Sequence, residues 1–405
     1  MNMGRRARQW LLLAAPALVG LSVWFLAGCG NFWQAPSTTT TTCTTNCTTA
    51  TSGDFYILNA GTTPQIVGES IVSGTLTALS GSPWAVSATP FSMAIAPDGD
   101  FLCVSTISGV FAYPIASGKL GTAVQVTQDP AYAIQVDRTS SWLVEEIPGA
   151  ASTGEVTFAA VPISSTTGVS VSGSKVPSVS FSGTIAAAQA NRMVISRDNG
   201  YIFAALGAGG TIVVPFNQAS PLPAGTTART ISVANSGGSA LSVAVDPDST
   251  PRLFYIGETL ADSAGTSGGL RAFNYSSLGS STLIQAGGSP IASGGLAPNF
   301  ILPIASGDFV YVANGTGQTT AGNVAGFAIA ASGSTYTLST GSTVAAGVQP
   351  LGLAEDSSSA FVLAVGSLGS PYFDAYTFGT TATGQLDSQI TSTTSASSIA
   401  IVAAP

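Results

Sequence analysis

The sequence predicts an all-β fold, a seven-bladed β-propeller of four-stranded blades, on three observations. A unit of short apolar strand, tight turn with an acidic or small residue, and second strand recurs along residues 54–405. Second strands start near Phe55, Phe101, Trp142, Tyr201, Leu253, Phe309 and Phe361, 41 to 59 residues apart, about the length a four-stranded blade needs. Finally, Phe55 has no first strand before it, whereas Ser398–Val402 has no second strand after it.

The clearest unit runs from Ser92 to Ile115. Its first strand is Ser92–Ala96, its turn Pro97-Asp98-Gly99-Asp100, its second strand Phe101–Ser105 and its third Gly109–Ile115. Proline presets φ, aspartate bonds its own backbone and glycine accepts positive φ, so this turn has a mechanism. First strands recur at Tyr132–Val136, Met193–Ser196, Leu241–Val245, Phe300–Ile304 and Leu351–Ala354, with turn aspartates at 137, 198, 246, 308 and 356. The two orphan strands should pair antiparallel, with residues 398–402 as the innermost strand of the blade holding residues 55–59. Such closure removes sheet edges that would invite pairing with other chains. The main rival is an outer-membrane barrel; strand length argues against it, since spanning strands need about 9–11 residues and these run about five.

Composition agrees. Only 7% of residues are charged and 47 are glycine, which suits many short strands joined by small-residue turns. Net charge is −8, and Lys119 and Lys175 are the only lysines. Nucleic acid is therefore set aside as a partner. The chain has no histidine, which removes the usual general base near neutral pH and the commonest metal ligand. No cofactor and no metal site is expected.

Residues 1–28 read as a secretory signal: Arg5, Arg6 and Arg8, then an uncharged run from Trp10 to Ala27. The run ends in Leu26-Ala27-Gly28-Cys29, which resembles the lipobox of bacterial lipoproteins. The resemblance implies a diacylglycerol on Cys29, hence a membrane partner through the lipid. Gly30 is not the aspartate that often signals inner-membrane retention, so the outer membrane is favoured if the cell has two. Residues 29–53 form a threonine-rich tether, in which Cys43 and Cys47 could close a small disulfide loop. Residues 54–405 are the propeller.

The blades resemble the lactonase-like seven-bladed propellers, the group containing 6-phosphogluconolactonase and many exported repeat proteins. Gly81-Ser82-Pro83-Trp84-Ala85-Val86, with Pro90, Met93-Ala94-Ile95, Asp98-Gly99 and Phe101, carries the resemblance, and Phe309–Asn314 adds a second strand of the same type. The group's enzymes carry a histidine with arginine and glutamate neighbours on one face of the channel, where a Pro-Arg-His stretch opens an inner strand. The nearest stretch here is Ala190-Asn191-Arg192-Met193-Val194-Ile195. It sets Arg192 at the histidine's place, and no imidazole replaces the lost one.

Other patterns read as structure. Gly265-Thr266-Ser267-Gly268-Gly269 matches a nucleophile elbow but lies between strands, and without histidine no Ser-His-Asp triad forms. Trp84 and Trp142 are expected to pack between blades, and Cys103 to be an inert buried thiol. Glu145-Glu146 ends a second strand, on the rim where Arg192 and Glu258 should also lie. That rim is the candidate ligand site, with a solvated edge as the plain alternative and at most one of the Glu145-Glu146 pair facing inward. The function expected is a membrane-anchored extracytoplasmic binding or scaffold module for an envelope protein or glycan. A sugar-lactone hydrolase is the alternative.

Overall fold

A computed structural model describes residues 52–149, 155–173, 176–182, 193–315, 320–379, 384–393 and 397–405. These residues form seven antiparallel sheets, the seven blades of a β-propeller. Blade 1 is built on Phe55–Asn59, blade 2 spans Pro90 to Thr127, blade 3 Ala133 to Ser182 and blade 4 Met193 to Ile231. Blade 5 spans Ala240 to Ala292, blade 6 Ala297 to Val348 and blade 7 Pro350 to Ser392. All seven second strands begin at the residues the repeat predicts.

Ring closure is also as predicted. Ser398–Ala403 is the innermost strand of blade 1 and runs antiparallel to Phe55–Asn59, with Phe55 opposite Ala403, Ile57 opposite Ile401 and Leu58 opposite Ala400. Beyond the paired strands, the Ala404 N–H donates to the Asp54 carbonyl at 2.8 Å. The Ser398 hydroxyl donates to Asn59 Oδ1 at 2.9 Å.

Strand alternation explains the core. Successive side chains point to opposite faces of a strand, and a radial blade has a neighbour on each face. Second strands are therefore buried on both sides, as the fully buried run Phe55–Asn59 shows. Seven apolar clusters result, one between each pair of adjacent blades. Phe55 stacks on Phe373 across the closing interface, with ring centroids 5.4 Å apart. Trp84 packs with Tyr56 between blades 1 and 2, and Trp142 packs between blades 3 and 4. Fully burying one Val, Leu, Ile or Phe side chain of these clusters contributes roughly 1.5–3 kcal/mol.

The turns behave as their residue types require. Asp137 Oδ1 accepts the N–H groups of Ser141 and Trp142 at 2.8 and 2.7 Å. Asp356 Oδ1 accepts those of Ala360 and Phe361 at 2.9 and 2.6 Å. In blade 2, Gly99 takes φ +79°. The aspartates thus close their own hairpins. Blades 1 and 2 differ from a plain four-stranded pattern in a second short strand on the outer side, Trp84–Ala85 and Val124–Thr127 respectively.

Candidate functional site

Cys29, Cys43, Cys47 and Arg192 lie outside the described residues. The remaining candidates are all described, and the structure does not bring them together. Glu145, Glu146 and Glu258 are buried, not solvated: 0%, 0% and 2% exposed. Glu146 and Glu258 pair with Ala133 and Ala240, so all three glutamates lie toward the end of the channel where inner strands begin. Their side chains occupy separate interfaces between blades.

Glu145 shares the face of Leu143, which packs against blade 2, while Glu146 shares the face of Val144, which packs against blade 4. The hairpin bonds align the repeats and show what is unusual here. At the position of Glu145, the other blades carry Ile57, Val104, Ala204, Ile256, Val312 and Ala364. The Thr127 hydroxyl donates to Glu145 Oε1 at 2.5 Å, and Oε2 has no hydrogen-bond partner among the described residues. Burial pushes the Glu145 carboxyl up to about 8, with the Asp129 charge adding and the Thr127 bond opposing. Its neighbour Cys103 is fully buried, and burial, then the Glu145 charge, raise its thiol far above neutrality.

Glu258 is held differently. Arg271 Nη1 donates to its Oε1 at 2.7 Å, and the Ala234 N–H donates to Oε2 at 3.0 Å. Arg271 also donates to the Ser232 carbonyl and lies over the Phe273 ring. This pair ties blade 5 to the segment leaving blade 4.

A cavity of about 450 Å³ lies on the propeller axis at the opposite end, where inner strands run out into their hairpins. Every blade contributes to it. Its wall is mainly apolar, with Ile95, Val136, Ile195, Val243, Phe300 and Leu302 prominent. Its charged groups are Arg138, Arg197, Asp246 and Glu355. Asp246 is committed elsewhere: it accepts from Arg252 Nε at 3.3 Å, the Leu253 N–H at 3.1 Å and the Tyr255 hydroxyl at 3.1 Å. Glu355 accepts the Ala305 N–H at 2.7 Å, and burial raises its carboxyl above the ordinary range. Arg138 and Arg197 are exposed on adjacent blades, and Arg138 Nη1 donates to the Arg197 carbonyl at 3.3 Å.

The sequence reading missed these two arginines, although the repeat carries a signal for them. They occupy one repeat position, just after the residue that opens the hairpin. The other blades place Pro97, Pro247, Ala305, Ser357 and Pro405 there. Among the described residues no three Cys, Asp or Glu side chains converge as a metal site requires.

No family model matches the sequence, and no curated protein sequence does. Solved structures do match. A protein from Lactobacillus plantarum aligns at TM-score 0.59 and 15% identity, over 87% of this chain and 99% of its own. A candidate 6-phosphogluconolactonase from Bacteroides fragilis aligns at TM-score 0.59 and 15% identity, over 86% and 97%. A functionally unknown protein from Desulfotomaculum acetoxidans aligns at TM-score 0.60 and 13% identity, over 87% and 100%. At this identity the likeness is one of fold, and function rests on the site.

Proposed function

We propose that this chain is an exported, lipid-anchored propeller that serves as a binding or scaffold module at the bacterial cell envelope. The axial cavity carries this proposal. All seven blades build it, its wall is apolar, and a few polar groups sit at its mouth, which is the ordinary make-up of a small-molecule or side-chain pocket. The signal, the lipobox ending in Cys29 and the threonine-rich segment support export and anchoring. Gly30, which is not the retention aspartate, favours the outer membrane if the cell has two membranes, and an envelope protein or glycan is the partner class.

Lactone hydrolysis is the second reading, favoured by the fold likeness to the candidate 6-phosphogluconolactonase. Two measurements decide. Mass spectrometry of the mature N-terminus should find a diacylated residue 29 in the membrane fraction, and purified protein should not turn over sugar lactones above background at neutral pH. An unmodified N-terminus in a soluble fraction rejects the anchor. Turnover abolished by Arg192→Ala replaces the binding reading with the hydrolase.

A further inference from the structure

Five described arginines can be sorted by what holds them. Arg252 pairs with Asp246 and Arg271 with Glu258, the two ion pairs among the described residues. Arg229 gives its guanidinium N–H groups to the carbonyls of Leu278, Ser280 and Ser281. Arg138 and Arg197 have no carboxylate partner among the described residues, although the chain carries 19 acidic side chains. Both line the axial cavity from adjacent blades 3 and 4, where the Arg138 guanidinium reaches the Arg197 carbonyl. Two uncompensated guanidinium groups beside an apolar hollow complement an anion with an apolar body.

The opposite side of the mouth narrows the choice. Glu355 belongs to blade 7, across the ring from blades 3 and 4, whereas Asp246, on blade 5 next to the blade of Arg197, is committed to Arg252 and Tyr255. A ligand with an anionic group at each end would bring its second one toward the Glu355 carboxyl. A ligand with one carboxylate would not. The aliphatic wall and Phe300 offer little to a polyhydroxylated body, because the channel-facing polar groups are few.

We infer that the axial cavity binds a small monocarboxylate with an apolar body, its carboxylate on Arg138 and Arg197 and its body against Ile195, Phe300 and Leu302. This rests on the binding function proposed above and narrows it: the ligand of the cavity is a small apolar carboxylate and not a glycan. It stands apart from the anchor and from the candidate rim at the other end of the channel.

The probe is 3-phenylpropionate, titrated by calorimetry into the mature full chain in detergent micelles, with empty micelles as the blank. Saturable binding is expected, and Arg138→Gln/Arg197→Gln should weaken it at least about tenfold, about 1.4 kcal/mol. Both arginines are exposed, so the variant should keep its melting curve. The uncharged 3-phenylpropionamide and the bodiless acetate should each bind at least tenfold more weakly than the probe. Ile195→Asp, which sets a carboxylate in the wall, should abolish binding. Absence of binding, equal binding by the double arginine variant, or preference for 6-phosphogluconate overturns the inference. Lipidation of residue 29 is read in a separate experiment, so failure of the anchor and failure of this site are distinguishable.

Discussion

Glu145 in blade 3 and Glu258 in blade 5 sit near the same end of the channel, on second strands, and are almost equally buried. Their partners differ. Glu258 meets a guanidinium at 2.7 Å and a backbone N–H at 3.0 Å, so both oxygens are satisfied. Glu145 meets one hydroxyl, at 2.5 Å, and leaves the other oxygen without a hydrogen bond among the described residues. Burying a carboxylate costs several kcal/mol unless charge and hydrogen bonds compensate. The first glutamate is therefore held in an ion pair within blade 5, which backbone contacts at Ser232 and Ala234 join to the segment leaving blade 4. The second resolves its burial by keeping its proton, which makes it sensitive to pH.

The largest effect should come from breaking the tie on one side. Arg271→Met leaves Glu258 buried with only the Ala234 N–H, and should cost about 3–5 kcal/mol in urea unfolding. It also loses the guanidinium lying 4.8 Å from the Phe273 ring centroid. Replacing both partners, in Glu258→Leu/Arg271→Met, should recover most of that loss, because no orphan charge remains. A double variant as unstable as Arg271→Met alone would show that packing, not charge, governs this contact.

The next effect belongs to Glu145 and is read against pH. Its folded-state value is about 8, above the ordinary glutamate range. Below the ordinary range both folded and unfolded states hold the proton, and the group costs nothing. Between there and about 8 the unfolded chain ionises while the folded one does not. Stability should therefore fall as pH rises through that window and level off above it. Glu145→Gln cannot ionise and should lack this loss. It should exceed the native chain by about 2–4 kcal/mol at pH 8.5, since each unit of pKa difference is about 1.4 kcal/mol. Parallel stability curves for the two proteins from pH 5 to pH 9 would falsify the assignment.

The contrast also marks what the sequence could reveal. Strand starts were legible because turn chemistry is local: Asp137 and Asp356 close their own hairpins whatever surrounds them. The closing strand was legible because the repeat left one first strand unassigned. The state of Glu145 and Glu146 was not. An alternating strand is ordinarily read as one buried face and one wet face, but a radial blade buries both. The arginine partner of Glu258 stands on the next strand, and only the pairing of Ile256 with Arg271 brings it near. The cavity was missed because acidic residues drew attention to the other end of the channel. Aligning the residues after each hairpin opener would have found Arg138 and Arg197.

The smallest effect tests the one bond that favours ionised Glu145. Thr127 comes from blade 2, on the second of the two strand segments that pair with Gly109–Ala116, so its hydroxyl crosses the interface between blades. Thr127→Val keeps the β-branched shape that suits a strand and removes only the hydroxyl. Losing one hydrogen bond to a carboxyl group costs about 1–1.5 kcal/mol. The bond lowers the Glu145 value, so its removal should move that value further upward. The pH-dependent fall in stability should then extend to higher pH than in the native chain. In a Glu145→Gln background the same substitution should shift no midpoint, because nothing remains to titrate. A midpoint that moves downward in Thr127→Val would mean that this hydroxyl stabilises the protonated carboxyl, and that the proton on Glu145 is held by the bond instead of by burial.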